Sequence, residues 1–462
     1  MRIYLPKFPA KASIPLFFAV AMCLFYMCEV DLKYLFTGLL VVLYLLLFPK
    51  KLLNPKNIVF AYYFVWYGIA PIYAGRYSDI YKIYGLHMVN QAYLMCFVTY
   101  AIAMMTLEWV LHDLDIGKGR RRFLIRIKKS GILKKEKEGS SKELKLGVIA
   151  FTIIWMLFLF GFCEYINRTG GIQAWKESAN DAFFSRGGAG LPYLLFTHTL
   201  MILIFFEGQR KIKNVYSLIR RVIYILVLAV SYTFIGSRST TFLIILLLFA
   251  DLVIKLDTVN RKSIIVIVSG VAVFVLGMIT RLGSLMKVSV KESIAHILNY
   301  FDTFENLLIL IRDYTPSIGK TFFLPLNWPL VKLGFDGFSK YYDMSVWLTN
   351  VYYPESWING GTTQWPMEAD MYLSFFFFGG IPLVILYFGI IGYIYRRAHK
   401  KGVWQFIYII EGFYIISHLR GGFLIYWYYW LIPIYVWIVT RYGNRKDGLA
   451  EENKDFRNGI IS

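Results

Sequence analysis

"YTFIGSRSTTFLIILLLF", residues Tyr232–Phe249, places a single arginine, Arg238, between Ser237 and Ser239 in the middle of an apolar run. A guanidinium inside hydrocarbon costs roughly 2.5 to 3.5 kcal/mol on insertion scales, so Arg238 implies either an aqueous edge or an anion that meets it. The choice turns on whether the apolar run crosses a membrane, and the rest of the chain decides that.

The chain has 462 residues, 57% of them hydrophobic, with a formal net charge of +21. Those values suit a basic nucleic-acid binder or a membrane protein with basic flanks. Distribution separates the two. Blocks such as "IPLFFAVAMCLFYMC" (14–28), "YLFTGLLVVLYLLLF" (34–48) and "FLIILLLFADLVI" (242–254) approach or reach bilayer length, with Lys and Arg pushed between them. The partner is therefore a lipid bilayer and not nucleic acid. Cys23, Cys28, Cys96 and Cys163 lie in or beside apolar segments without C-x-x-C spacing, and read as small buried hydrophobes. The N-terminus has no small-residue cleavage site after its apolar run and reads as a retained first helix.

The expected fold is all-α: a polytopic integral membrane protein, one membrane domain over 1–462, with about twelve spans. The spans fall at Ile14–Cys28, Tyr34–Phe48, Ile58–Ala74, Val89–Leu111, Leu146–Cys163, Leu191–Phe206, Val222–Ile235, Thr240–Ile254, Ser263–Ile279, Met371–Tyr395, Val403–Ile416 and Phe423–Thr440. With both termini cytoplasmic, the inside segments hold about 35 of the 50 Lys and Arg, which fixes the orientation. The basic cytoplasmic loop 112–146 and the tail 442–462 carry enough charge to lie on anionic head groups.

Two outer connections are long, 164–190 and 280–370, the latter between spans nine and ten and far beyond an ordinary helix connection. Within it, Ile294, Ile297, Leu298, Phe301, Leu308 and Ile311 recur at helical spacing and predict an amphipathic helix at the membrane surface. The same orientation puts Arg238 of "GSRST", Arg281 of "TRLG" and Arg420 of "HLRGG" on the outer side. Guanidinium forks match phosphate oxygens in pairs, and Ser237 and Ser239 add hydrogen-bonding neighbours, so these five residues are candidates for binding a lipid-linked pyrophosphate. Arginines at helix ends also snorkel or pair with carboxylates, which is the structural alternative. Glu368 and Asp370, in "WPMEADMYLSFFFFGG", sit where the tenth span enters from outside; His418 adjoins Arg420. Glu368 or His418 is the candidate catalytic base, against the alternatives of a helix-dipole carboxylate and a polar trim histidine. Glu411 shares a helical face with His418 as either an acid or base or a structural partner for a buried arginine.

The segment 322–366 is dense in Trp, Tyr, Phe, Gly and Pro, a composition suited to sugar stacking, and Tyr353, Trp357 and Trp365 are candidate glycan contacts. Interfacial aromatic belts enrich the same residue types. No histidine or acidic spacing matches a metal site, and no cofactor is expected.

"GSRST", "TRLG", the large outer loop, "EADMYLSFFFFGG" and "HLRGG", in that order within a twelve-span pattern, resemble the Wzy family, the repeat-unit polymerases of bacterial O-antigen, capsule and exopolysaccharide assembly. The resemblance implies an inner-membrane glycosyltransferase that joins undecaprenyl-pyrophosphate-linked oligosaccharides at the outer face, with a chain-length regulator as a further partner. O-antigen ligases share the layout, and a lipid-linked oligosaccharide flippase is the non-enzymatic alternative.

Overall fold

In a computed structural model of the chain, the described residues are 8–73, 77–115, 148–177, 182, 189–210, 214–235, 238–255, 303–332, 341, 343–358, 362–398, 403–425, 427–432 and 434–436, with isolated positions at 289, 292, 294, 298 and 301. Every element among them is helical. The expected ninth span, Ser263–Ile279, most of the basic loop 112–146 and the tail 442–462 lie outside the described residues.

Local chemistry starts the helices. α1 (Ile14–Met27) has Pro15 in its first turn, where a missing N–H is harmless. α2 (Leu32–Leu46) is capped by Asp31, whose side chain accepts from Lys33 N at 3.0 Å. α3 (Pro55–Tyr63) pairs an Asn54 cap with Pro55, then runs on as a π-helical stretch, Phe64–Ile69, and a last turn, Ala70–Tyr73. α4 (Tyr77–Asp115) breaks once, at Gly85, where φ is +74°. α5 (Val148–Arg168), α6 (Gly190–Gln209), α7 (Val215–Ile235) and α8 (Arg238–Leu248) follow. α9 (Phe304–Asp313), α10 (Met344–Tyr352), α11 (Met367–Phe375), α12 (Ile381–Ala398) and α13 (Val403–Leu419) come next, with shorter helical pieces between them.

Five of these stretches are long and apolar enough to cross a membrane: Ala10–Met27, Ile80–His112, Ile149–Arg168, Gly190–Gln209 and Phe378–Ala398. Leu32–Leu46 and Val403–Leu419 are shorter apolar helices. Large apolar side chains stand exposed along α1 (Phe17, Val20, Leu24), α5 (Ile153, Met156, Phe160) and α7 (Ile219, Val222, Leu226), faces suited to lipid.

Two expectations need correction. The tenth span does not run unbroken from Met371: α11 ends at Phe375, Phe376 and Phe377 take positive φ (53° and 65°), and the membrane-length helix begins at Phe378. Glu368 and Asp370 therefore sit on a separate short helix. The amphipathic helix is present at α9, but its apolar residues Phe304, Leu307, Leu308 and Leu310 are fully buried and pack on α4. Protein covers that face, because Tyr93 and neighbouring side chains of α4 offer it an aromatic surface, with the Tyr93 and Phe304 rings 4.3 Å apart.

The helices build two cores. One gathers α1–α4, α9, α11 and α12 around α4, which is buried along most of its length. The other joins α5, α6 and α8, and its helices approach so closely that a Cβ at Gly161 would meet Phe196 N at 2.8 Å. α13 belongs to both, with Ile407, Tyr408, Ile415 and Leu419 in the first and Phe406, Ile409, Ile410 and Tyr414 in the second.

Contacts along α13 define two ends of the assembly. At its start, Tyr408 OH donates to Leu53 O just before α3, and the Phe406 ring lies 4.5 Å from Phe205 near the end of α6. At its finish, Tyr62 OH donates to Leu419 O at 2.9 Å. The first end carries Lys56, Glu108, Glu207, Arg210, Arg220 and Arg221, and is called the basic end; Glu368, Asp370, His418 and Arg420 lie at the far end.

Candidate functional site

Pro366 and the first turn of α11 bring two carboxylates to a helix N-terminus, where the backbone dipole favours negative charge. Glu368 is fully buried. Its Oε1 accepts from Tyr63 OH at 2.5 Å, and its Oε2 from Tyr67 OH at 3.5 Å, the long limit of such a bond. Tyr63 and Tyr67 are one turn apart at the entry to the π-helical stretch of α3, so both phenols face one way. Burial pushes the Glu368 carboxyl up to about 7, while the bonds from Tyr63 and Tyr67 pull the other way. Tyr62 OH stands 3.5 Å from Tyr67 OH and donates to Leu419 O, so the phenols link Glu368 to the chain immediately before Arg420.

Asp370, 3% exposed, is held by different groups. Oδ1 accepts from Thr321 Oγ1 at 2.5 Å and from Ser374 Oγ at 3.4 Å, and Oδ2 accepts from Phe423 N at 3.4 Å. Burial raises its carboxyl above the ordinary range, opposed by these bonds. The last of them fixes the turn after α13. Gly422 there has φ +102°, and a Cβ would fall 2.9 Å from Asp370 Oδ2, so both conformation and space demand glycine.

That turn presents Arg420. Its backbone N–H closes α13 on Ile416 O at 3.1 Å, and its side chain is half-buried, close enough to Tyr62 for the charge to act on the phenol. Among the described residues no carboxylate pairs with it. His418 is 1% exposed, with its ring 5.2 Å from that of Tyr387 on α12. Its Nδ1, the Tyr387 hydroxyl and Oε1 of buried Glu411 have no hydrogen-bond partner among the described residues. Buried polar atoms of this kind take partners from water or ligand.

Glu368, Asp370, His418 and Arg420 are thus brought together. Arg238 and Ser239 form the first turn of α8, and only their backbone is described; Ser237 and Arg281 lie outside the described residues. The aromatic candidates divide. Trp365 is fully buried, its Nε1 donating to Thr363 Oγ1 at 2.9 Å and its ring set between Tyr352 and Tyr353, so it has no face to offer a sugar. The hydroxyl of half-buried Tyr353 donates to Asn306 Oδ1 at 2.8 Å. Trp357, on the short helix Pro354–Ile358, keeps part of its surface exposed.

Sequence reasoning missed the phenols of Tyr62, Tyr63 and Tyr67, and the hydroxyls of Thr321 and Ser374. A signal existed for the first group: "AYYFVWYG" (61–68) sets three phenols inside an apolar run, and each buried hydroxyl needs an acceptor. Among the described residues no group of three or more His, Cys, Asp or Glu is arranged to hold a metal. No known family, curated protein or solved structure matches this chain.

Proposed function

We propose that the chain is a twelve-span inner-membrane glycosyltransferase, with cytoplasmic termini and segment 280–370 outside, that polymerises oligosaccharide repeat units carried on undecaprenyl pyrophosphate. The observation that carries this reading is Arg420, without a carboxylate partner among the described residues, beside the phenol-caged carboxyl of Glu368 at the end of the bundle opposite its basic cluster. A guanidinium without a carboxylate, partly sheltered from water, favours an external anion, and a diphosphate ester fits its fork.

In the proposed reaction the acceptor sugar hydroxyl loses its proton, its oxygen bonds to the anomeric carbon of the donor chain, and the carbon–oxygen bond to pyrophosphate breaks. The lipid diphosphate leaves with the electron pair. Arg420, with Arg238 and Arg281, holds that leaving group as its charge grows, which lowers the barrier selectively. Glu368 takes the proton by way of Tyr63 or Tyr67, whose hydroxyls already contact it, and a carboxyl near 7 is poised for that role at neutral pH. His418 serves as the alternative base. The test is reconstitution of the purified chain with a defined lipid-linked repeat unit, followed by sizing of the product. A ladder of repeat lengths is expected; no elongation with intact, folded protein overturns the reading.

A further inference from the structure

At the basic end, α6 closes on Glu207, 2% exposed, and three arginines converge on it. Arg220 Nε donates to Oε2 at 2.9 Å and Arg221 Nε to Oε1 at 3.3 Å, while Arg210 Nη1 stands 3.8 Å from Oε2. Among the described residues one carboxylate stands against three guanidinium groups, which leaves two positive charges uncompensated there. The three are not equivalent. Arg221 also donates through Nη2 to Glu207 O at 2.7 Å and Arg210 O at 2.8 Å, so it satisfies the open carbonyls at the end of α6 and is structural. Arg220 uses only Nε, and its two Nη groups donate to nothing among the described residues. Arg210 lies over the Phe151 ring at 5.8 Å, and it and Arg220 are about a quarter exposed.

What borders these free donors is apolar. α7, which carries Arg220, presents Val215, Tyr216, Leu218, Ile219, Val222 and Ile223 outward, all substantially exposed. A pair of unspent guanidinium forks at the end of a membrane-length helix, next to an outward apolar face, has the form of a lipid site: head-group phosphate on the arginines, acyl chains along α7. We infer that Arg210 and Arg220, positioned by Glu207 and Arg221, bind the phosphate of an anionic phospholipid at the basic end of the bundle. A zwitterionic lipid brings its own cation and gains less from the excess charge.

The test uses the full-length chain in mild detergent, native mass spectrometry, and phosphatidylglycerol and phosphatidylcholine with matched acyl chains. The wild type is expected to retain phosphatidylglycerol preferentially. Arg220→Gln is expected to lower that retention about fivefold, the worth of one basic residue near an anionic head group, while phosphatidylcholine is unchanged. Arg210→Gln, which leaves every contact made by Arg221 in place, is expected to do the same and serves if Arg220→Gln does not fold. Equal retention of the two lipids, or retention of phosphatidylglycerol undiminished in both folded variants, overturns the inference. So does complete displacement of the lipid by millimolar inorganic phosphate, which would identify the ligand as a free anion.

Discussion

The two ends of this helical assembly bury charge in opposite ways. At the basic end the buried carboxylates among the described residues meet cations: Glu108 lies 2.6 Å from Lys56 Nζ, and Glu207 faces three arginines. At the far end, among the described residues, Glu368 and Asp370 are held by phenol, alcohol and amide donors alone, while Arg420 has no carboxylate partner. Had stability been the only constraint, Arg420 could have paired with an acid at that end as Lys56 does at the other. The separation of acid from cation is what the proposed site, receiving an anion and a proton, requires, and it gives different predictions for the two ends.

The largest effect is expected where the charges are paired. Lys56→Met leaves Glu108 without its cation and should lower stability by about 3 to 5 kcal/mol, with much of it regained when Glu108→Leu is added. Thermal unfolding of the two purified variants in detergent checks this, and a neutral Lys56→Met would erase the contrast. Arg420→Ala should behave inversely. With no carboxylate partner among the described residues to lose, the variant's melting temperature stays near wild type, while polymer formation falls about 100-fold or more, as on removal of one transition-state donor. Arg420→Lys recovers part of the charge but not the fork.

Glu368 sharpens the comparison through pH. Its folded value, about 7, is raised above the ordinary 4.5. Its contribution to stability is therefore complete below about 4.5 and lost as pH rises to about 7, on the order of 3 kcal/mol for a shift of that size. As a base it works only after losing the proton, so activity should rise with pH through about 7. Glu368→Gln is expected to flatten both profiles; a stability profile unchanged by the substitution contradicts the assigned environment. The smallest effect belongs to Tyr63→Phe. Loss of its hydrogen bond should cost about 1.5 to 3 kcal/mol when the carboxyl is ionised. Because that bond lowers the Glu368 value, the midpoint of the activity profile should move upward.

Helices with a uniform environment were readable in advance. The helix expected at Ile14–Cys28 runs over Ile14–Met27, and the one expected at Val403–Ile416 runs over Val403–Leu419, a shorter apolar helix than the five of membrane length. The break after α11 was not, for a physical reason. "YLSFFFFGG" is apolar throughout, so hydropathy carries no boundary, and the positive φ values fall on Phe376 and Phe377, residues that local preference would never place there. Only Gly379 and Gly380 hinted at a turn. In the site, charged residues announced themselves because ions are rare in apolar sequence. Tyr63 and Tyr67 did not, since a tyrosine in a span also fits the membrane interface, and only the approach of α11 identifies their acceptor. The same holds for Trp365, fully buried here: indole composition does not distinguish a stacking surface from a core side chain.

α13 is packed on both flanks, one side in each core, and carries His418 in its last turn with Arg420 just beyond its end. A single residue inserted near its start would turn everything beyond it by about 100°, exchanging the side chains owed to one bundle with those owed to the other. The same insertion in α1, which has a broad outward apolar side, would mainly redistribute residues between lipid and protein. The length of α13 is therefore as strictly constrained as its composition, and small insertions or deletions should accumulate elsewhere in the chain.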